Sequence, residues 1–287
     1  MAALSAYSQL HLRVGVEHQT VKMMYRVFGF ARTARIVNDP PLCERGRVHA
    51  ALDAFDEGDI FVNYTPFGHS DWSKIVSDVV ALGADGKKVG VISTINGDAN
   101  IPFYKELGNQ GVSAEDIPVV AFSVGEEELS GFDTKPLVGH LAAWNYFQSV
   151  ETDENETFIA DWKKYIGDDK RVTNDPMEAT YIGFKMWAKA VEKVGTTEVD
   201  AVEQALIGIA VPNLTGGTAV MNANHHLSKP VLIGEIQANG QFEVVWETPD
   251  TVIGDAWSDF LPSSKNLISD WTAPVKCGNF DVTTAKC

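Results

Sequence analysis

From residue 60 onward the sequence alternates short apolar runs with longer amphipathic stretches, and this alternation limits the folds that the chain can adopt. Apolar runs bounded by Gly, Pro, Asn or Asp are typical of strands, and the first three cover residues 60–64, 89–94 and 119–123. Stretches with apolar residues at every third or fourth position, which are typical of helices, fill the intervals. This β-loop-α succession predicts an α/β fold built on a parallel, doubly wound sheet.

End signals accompany the predicted helices. Ser70 or Asp71 can cap the first helix, and Asp175 is placed to cap a later one that has Pro176 at its first position. The last third of the chain changes to strands, two of which are joined by a hairpin through Ala238–Gln241. The predicted helices cover residues 72–80, 102–110, 155–165, 176–194 and 199–207, and the late strands cover 218–221, 231–236 and 242–246.

Composition excludes some partners and leaves the number of lobes open. With 287 residues, 45% of them apolar, the chain can form two compact lobes or one large domain. The net charge of −16 argues against a nucleic-acid partner, because phosphate binding needs a basic surface. No apolar run approaches the roughly 20 residues of a membrane span, and the first residues lack a signal-peptide pattern. We therefore expect any export signal to be absent from this sequence.

Charge is distributed unevenly along the chain. Residues 1–58 carry a net charge of +1 and residues 59–287 a net charge of −17. The early segment also shows little periodicity, so residues 1–57 are predicted to be an atypical segment, non-native or frame-shifted. The alternative is a basic surface region. Six of the seven arginines lie in this segment: Arg13, Arg26, Arg32, Arg35, Arg45 and Arg47.

Several motifs beyond residue 58 resemble those of urea-binding proteins of bacterial ABC transporters. Two examples are Ser93–Asn100, which reads Ser-Thr-Ile-Asn-Gly-Asp-Ala-Asn, and Phe122–Glu128, which reads Phe-Ser-Val-Gly-Glu-Glu-Glu. The resemblance covers roughly residues 58–287. The other matching stretches are Tyr64–Ser73, Gly139–Phe147, Asp175–Glu178, Asn224–Leu227, Ile233–Ile236 and Lys276–Asn279.

This resemblance implies a type I periplasmic binding protein of the leucine-binding kind, with two α/β lobes that are joined by several crossings and close on a small ligand. Residues 58–287 would form the second lobe, the return into the first lobe and a disulfide-bonded tail. Most of the first lobe is not visible in the sequence, so we expect this chain to bind urea poorly. The implied partners are urea and the membrane permease subunits, and the implied compartment is the periplasm. The alternative is a short-chain amide-binding protein or an amide-sensing regulator of the same fold.

The ligand site is predicted at the carboxyl ends of the parallel strands, in the loops at 94–100 and 123–130. Urea offers four N–H donors and one carbonyl acceptor, so its pocket needs several acceptors. Glu126 is the position that leucine-binding relatives would use to hold a ligand amino group. The alternatives are a solvated acidic turn at 126–128 and a tight turn at 96–98. The other candidate ligand-binding residues are Asn96, Asp98, Ser123, Met177 and Glu178.

For Met177 and Glu178 the plainer interpretation is favoured, since an acidic residue in the first turn of a helix complements the helix dipole. No nucleophile elbow, P-loop or dinucleotide fingerprint occurs in the sequence, so neither an enzyme nor a cofactor is predicted. Adjacent His225 and His226 favour a turn or structural role over a metal site. Cys277 and Cys287 flank a short polar loop and could form a disulfide, which would fit an oxidising compartment.

Overall fold

The computed structural model describes residues 60–252 in full and the backbone of residues 32–38, 267–268 and 280–281. The strands are β1 (Arg32–Asn38), β2 (Ile60–Thr65), β3 (Val89–Thr94), β4 (Val119–Ala121), β5 (Leu141–Trp144), β6 (Ala210–Pro212), β7 (Thr218–Met221), β8 (Leu227–Ser228), β9 (Leu232–Ile236), β10 (Phe242–Glu247), β11 (Leu267–Ile268) and β12 (Phe280–Asp281). The α-helices are α1 (Ser73–Leu82), α2 (Asn100–Asn109), α3 (Glu126–Leu129), α4 (Asp153–Ile166), α5 (Asp175–Val194) and α6 (Val199–Leu206).

Seven strands form the main sheet, in the order β10-β9-β5-β4-β3-β1-β2. The strands from β5 to β2 are parallel, while β9 and β10 are antiparallel to their neighbours. The predicted α/β fold with a parallel sheet is confirmed. Antiparallel β9 and β10 add a hairpin to one edge, and its turn at Gln237–Gln241 closes as predicted, with the Gln237 N–H donating to the Gln241 carbonyl at 2.9 Å.

Strand β1 was not predicted from the sequence. It lies between β2 and β3 and pairs with both in parallel, with Thr33 opposite Ile60 and Arg32 opposite Val89. A strand inserted between two others contributes backbone hydrogen bonds on both edges, so residues 32–38 complete the parallel part of the sheet. The origin of residues 1–57 stays a prediction, and apart from β1 the segment lies outside the described residues.

Two of the predicted helix caps are wrong. Helix α5 is capped by Asn174, whose side-chain oxygen accepts the Met177 N–H at 3.0 Å, and Asp175 is already inside the helix. Asp175 instead accepts the backbone N–H of Asn145 at 3.1 Å. Helix α1 begins after Trp72, which makes no side-chain cap, although the carboxylate of Asp71, one position earlier, accepts the Ser73 N–H at 3.3 Å. Local pattern does not choose among the candidates, because several polar residues in each stretch can serve as caps.

Strands β1–β5, β9 and β10 with helices α1–α3 form what we term the sheet unit, and α4–α6 with β6–β8 form the helical unit. The sheet unit has apolar clusters centred on Val91 and Phe103 and on Ile92 and Phe122. The helical unit has its own core, which includes Tyr146, Phe158, Ile182, Met186, Val211 and Leu227. Each unit therefore buries apolar surface separately.

The chain passes between the units twice in the described part. The first crossing, residues 145–152, leads from β5 to α4, and the second crossing, residues 229–231, leads from β8 to β9. Polar contacts concentrate at both crossings, which are described below. Within the described residues, no helix has the length and apolarity to traverse a bilayer.

Candidate functional site

The loops after β3 and β4 meet at the carboxyl edge of the sheet, as the sequence predicts. The Ser123 hydroxyl donates to the side-chain oxygen of Asn96 at 2.8 Å. The side-chain amide of Asn100, at the start of α2, donates to the carbonyls of Ser123 and Ile95 at 3.2 and 3.0 Å. Ser123 is buried and Asn96 is half-buried. The structure thus brings Asn96 and Ser123 together in one hydrogen-bonded group, while Asp98 lies exposed in the 3-10 turn Gly97–Ala99.

Glu126 begins the short helix α3, which follows this loop, and only 1% of its surface is exposed. One carboxylate oxygen, Oε1, accepts the backbone N–H of Gln148 at 2.7 Å. The other, Oε2, is buried and has no hydrogen-bond partner among the described residues. Burial raises the pKa of Glu126 to about 7, although backbone N–H groups, including those of Gln148 and Ser149, oppose the shift. Glu126 is therefore an enclosed acceptor with one oxygen free.

The three consecutive glutamates have separate roles, so the stretch is more than a solvated turn. Glu127 is half-exposed, accepts the side-chain N–H of Asn174 at 2.5 Å and lies 3.7 Å from Arg171. Glu128 turns back and accepts the Gly125 N–H at 2.9 Å, which closes a capping arrangement at the start of α3. Glu126 alone of the three faces the first crossing.

Gln148 ties the first crossing to both units, a role that was not predicted from the sequence. Its side-chain oxygen accepts the Thr173 N–H at 2.7 Å, and its side-chain amide donates to Gln241 at 3.0 Å. Its backbone N–H is the donor to Glu126, and its carbonyl accepts from Asn155 at 3.0 Å. These partners come from α3, α4, the hairpin turn before β10 and the segment before α5. Glu126 consequently lies at the joint between the sheet unit and the helical unit.

The remaining predicted residues, Met177 and Glu178, lie in the first turn of α5, and Glu178 contacts the second crossing. Glu178 is fully buried and forms an ion pair with the Nζ of Lys229, which is 2% exposed. Burial raises the pKa of Glu178, and the positive charge of Lys229 opposes that shift. Met177 is half-buried against the core of the helical unit. Glu178 thus has a cation as its partner, which Glu126 lacks, and its position is that of a fixed structural contact.

Asn145 links the two crossings and was also missed. Its backbone N–H donates to Asp175, and its side-chain amide donates to the carbonyl of Pro230 at 2.7 Å. Partners separated by 30 and 85 positions leave no periodic signal in a sequence. Asn145 does fall within the Gly139–Phe147 motif, which was the one available indication that this stretch matters.

The adjacent histidines, His225 and His226, lie outside this site. His225 has a positive φ of 61° and lies with His226 in the turn between β7 and β8, in agreement with the predicted turn. The fully described range, residues 60–252, contains no group of three or more metal-ligating side chains. Cys277 and Cys287 lie outside the described residues, so their pairing stays a prediction.

A parallel α/β sheet, a helical unit reached by crossings and a polar joint between them are features of proteins that bind a solute between two lobes. The chain matches the family described as periplasmic binding protein domain over residues 45–263, and it belongs to that family. The match begins inside the segment predicted to be atypical.

Solved structures with this fold include a solute-binding protein of an ABC transporter from Rhodopseudomonas palustris HaA2 in complex with p-hydroxybenzoic acid. It is 19% identical, with a TM-score of 0.71, and the match covers 84% of this chain and 66% of that one. The leucine binding protein from Thermotoga maritima MSB8 is 14% identical, with a TM-score of 0.63 and coverage of 82% and 65%. At these identities the likeness shows the fold alone.

A curated protein, limonene hydroxylase from Geobacillus stearothermophilus, is 32% identical over 119 residues, which is 42% of this chain and 22% of that protein. The chain therefore spans about a fifth of this relative and just under two thirds of the solved structures.

Proposed function

We propose that the chain belongs to the solute-binding component of an ABC importer, which captures urea and delivers it to the membrane permease. The observation that carries this proposal is Glu126. A buried carboxylate that has neither a cation nor a partner for one of its oxygens among the described residues lies beyond the carboxyl end of β4, at the joint between two units of a periplasmic-binding-protein fold.

The chemistry of urea fits a site of this kind. Its N–H groups need acceptors, and the free Oε2 of Glu126 provides a charged one. Since Oε2 is enclosed, a ligand reaches it when the first crossing and α3 move apart. Movement of two units about their connections is a common way for a protein to admit and then enclose a small ligand. A role in binding requires only this exchange of hydrogen bonds, so we propose no catalytic activity.

A ligand of four heavy atoms limits the affinity. At a ceiling of roughly −1.5 kcal/mol per non-hydrogen atom, urea cannot gain more than about −6 kcal/mol. Contacts from both lobes are needed to approach that value. The alternative function is binding or sensing of a short-chain amide, which would place the same N–H donor against Glu126.

The test uses the rank order of ligands, because the order survives even where absolute affinity is low. The chain would be titrated with urea, formamide, acetamide, leucine and 4-hydroxybenzoate while the amide NMR signal of Gln148 is followed. Urea should perturb this signal at the lowest concentration. Formamide or acetamide ahead of urea would support the amide alternative, and leucine or the benzoate ahead of all three would exclude both.

The proposed compartment is the periplasm, and Cys277 and Cys287 offer a test. Two cysteines ten positions apart in a turn-rich tail can approach to bridging distance, and an oxidising compartment would preserve the bond. Mass spectrometry of exported protein, kept free of reductant, should show the loss of two hydrogens and a linked tail peptide. Free thiols at both positions would contradict the pairing.

A further inference from the structure

A groove of about 870 Å³ runs beside β10, and Glu126 is not among the residues that line it. One wall is the first crossing at Ser149–Glu151, and the other is β10 with the hairpin before it. The consecutive residues 241–244 all line it, which indicates that the groove follows the edge of the strand, since side chains on one face would alternate. This volume is in the range of pockets that bind small molecules and peptides.

Strand β10 is the last strand of the sheet, and β9 is its only strand partner in the described residues. Its outer edge therefore presents backbone N–H and C=O groups that an added strand could pair with. The groove also offers apolar contact area from the half-buried Val150 and Val244. In addition, the Ser149 hydroxyl is buried without a described hydrogen-bond partner.

The groove is acidic. Glu151, Glu243 and Glu247 line it, and none forms an ion pair with a described residue. Glu243 also lies directly opposite Glu235 of β9 in the strand register. Like charges that face each other across two strands destabilise the pair, and a cation placed between or beside them removes that repulsion.

We propose that this groove binds an extended, lysine- or arginine-bearing polypeptide segment of a partner protein, which adds a strand to β10. The backbone of the segment would pair with the outer edge of β10, alternate apolar side chains would contact Val150 and Val244, and the basic side chains would face Glu243 and Glu247. Charge complementarity selects a basic partner over an acidic one.

The probe is a blocked peptide of alternating lysine and valine, about eight residues long, which is slightly longer than a typical strand. Binding to the full chain would be measured by fluorescence anisotropy at low and moderate salt. We expect saturable binding, which the double change Glu243→Lys and Glu247→Lys weakens at least about tenfold. A matched double change, Glu115→Lys and Glu192→Lys, reverses two exposed charges elsewhere and should leave the affinity within about twofold.

A second peptide separates strand addition from charge attraction alone. It keeps the same side chains but carries N-methyl groups on alternate backbone amides, which removes the donors along one edge. Loss of binding by this peptide supports strand addition. Equal binding by both peptides, equal weakening by the two double changes, or no saturable binding would each overturn the proposal. None of these measurements involves Glu126, so the proposed urea site can fail or succeed independently.

Discussion

The two crossings each bury one glutamate, and the two glutamates differ in their partner. At the second crossing, Glu178 is neutralised by Lys229, and both side chains are almost fully enclosed. At the first crossing, Glu126 is equally enclosed but is met by backbone N–H groups and by no described cation. Burial alone therefore does not tell whether a carboxylate is structural. The partner does, since a lysine fixes the charge of Glu178 while Glu126 has only backbone N–H donors; each carboxylate keeps one buried oxygen without a described partner.

The largest expected effect on stability comes from removing the ion pair at the second crossing. Lys229→Met would leave Glu178 buried without its cation, and loss of one partner of a buried pair typically costs about 3–5 kcal/mol of unfolding free energy. Guanidinium unfolding at pH 8, where Glu178 has the least tendency to protonate, would measure it. The double change Lys229→Met and Glu178→Leu should recover most of the loss. An unchanged single variant would show that the pair contributes little.

The next largest effect is the pH dependence of stability that Glu126 produces at the first crossing. The Glu126 carboxyl has an ordinary pKa of 4.5 and a folded pKa of about 7, so the folded protein binds more protons between these values. Its contribution to stability is full below about pH 4.5 and falls by about 3 kcal/mol as pH rises through 7. Glu126→Gln should remove this decline.

Because buried His140 also makes stability depend on pH, the unchanged protein must be compared with the Glu126→Gln variant. Burial lowers its pKa from 6.5 to about 4, so the folded state binds fewer protons than the unfolded state in that range. Stability therefore rises with pH between about 4 and 6.5 through His140, opposite to the trend from Glu126. The unfolding free energies of the unchanged protein and of the Glu126→Gln variant would be measured at pH 5, 6, 7 and 8, and the difference between the two would be taken at each pH. A constant difference across the series would show that Glu126 does not titrate as described.

A third prediction tests Glu126 as a ligand acceptor. Glu126→Gln replaces a carboxylate oxygen with a donor that would face a urea N–H, and we expect urea binding to weaken by very roughly 1.5–3 kcal/mol. Calorimetry, or NMR titration of the Gln148 amide where binding is weak, would measure the change. Unchanged affinity would indicate that the ligand binds near Asn96 and Asp98 and not at Glu126.

The smallest effect is expected at the neighbouring glutamate. Glu127 is half-exposed and is bonded to Asn174, with Arg171 at 3.7 Å, so Glu127→Gln should change the unfolding free energy by less than about 1 kcal/mol. Urea affinity should not change, because Glu127 does not face the first crossing. This variant is the matched control for Glu126→Gln, and an equal loss of urea binding in both would assign the effect to the acidic turn as a whole.

Much of the fold could be predicted from local pattern. The bounds of β3 and β7 match the predictions, and those of α5 and α6 differ by one residue, because apolar periodicity and glycine stops act over a few positions. Strand β1 was missed, since its seven residues, Arg-Thr-Ala-Arg-Ile-Val-Asn, have neither regular alternation nor a long apolar run, and only pairing with β2 and β3 makes it a strand. Short β6 and β8 were missed for a similar reason.

The site was predicted only in part. Position along the chain placed Asn96, Ser123 and Glu126 at the carboxyl ends of strands, and the sheet brings the first two into contact. The sequence also identified Glu126 as the member of the acidic trio most suited to face inward. It favoured a helix-dipole role over ligand binding for Glu178, but it did not indicate the ion pair, because Lys229 is 51 positions away.

By itself the sequence determined the order of strands and helices, the family motifs and the carboxyl-edge location of Glu126, since these follow from neighbours in the chain. Only the tertiary structure decided which glutamate has a cation, that Gln148 and Asn145 tie the crossings together, and that β10 borders an acidic groove. The physical reason is that burial and charge pairing are properties of surroundings. Packing assembles those surroundings from segments that carry no local record of one another.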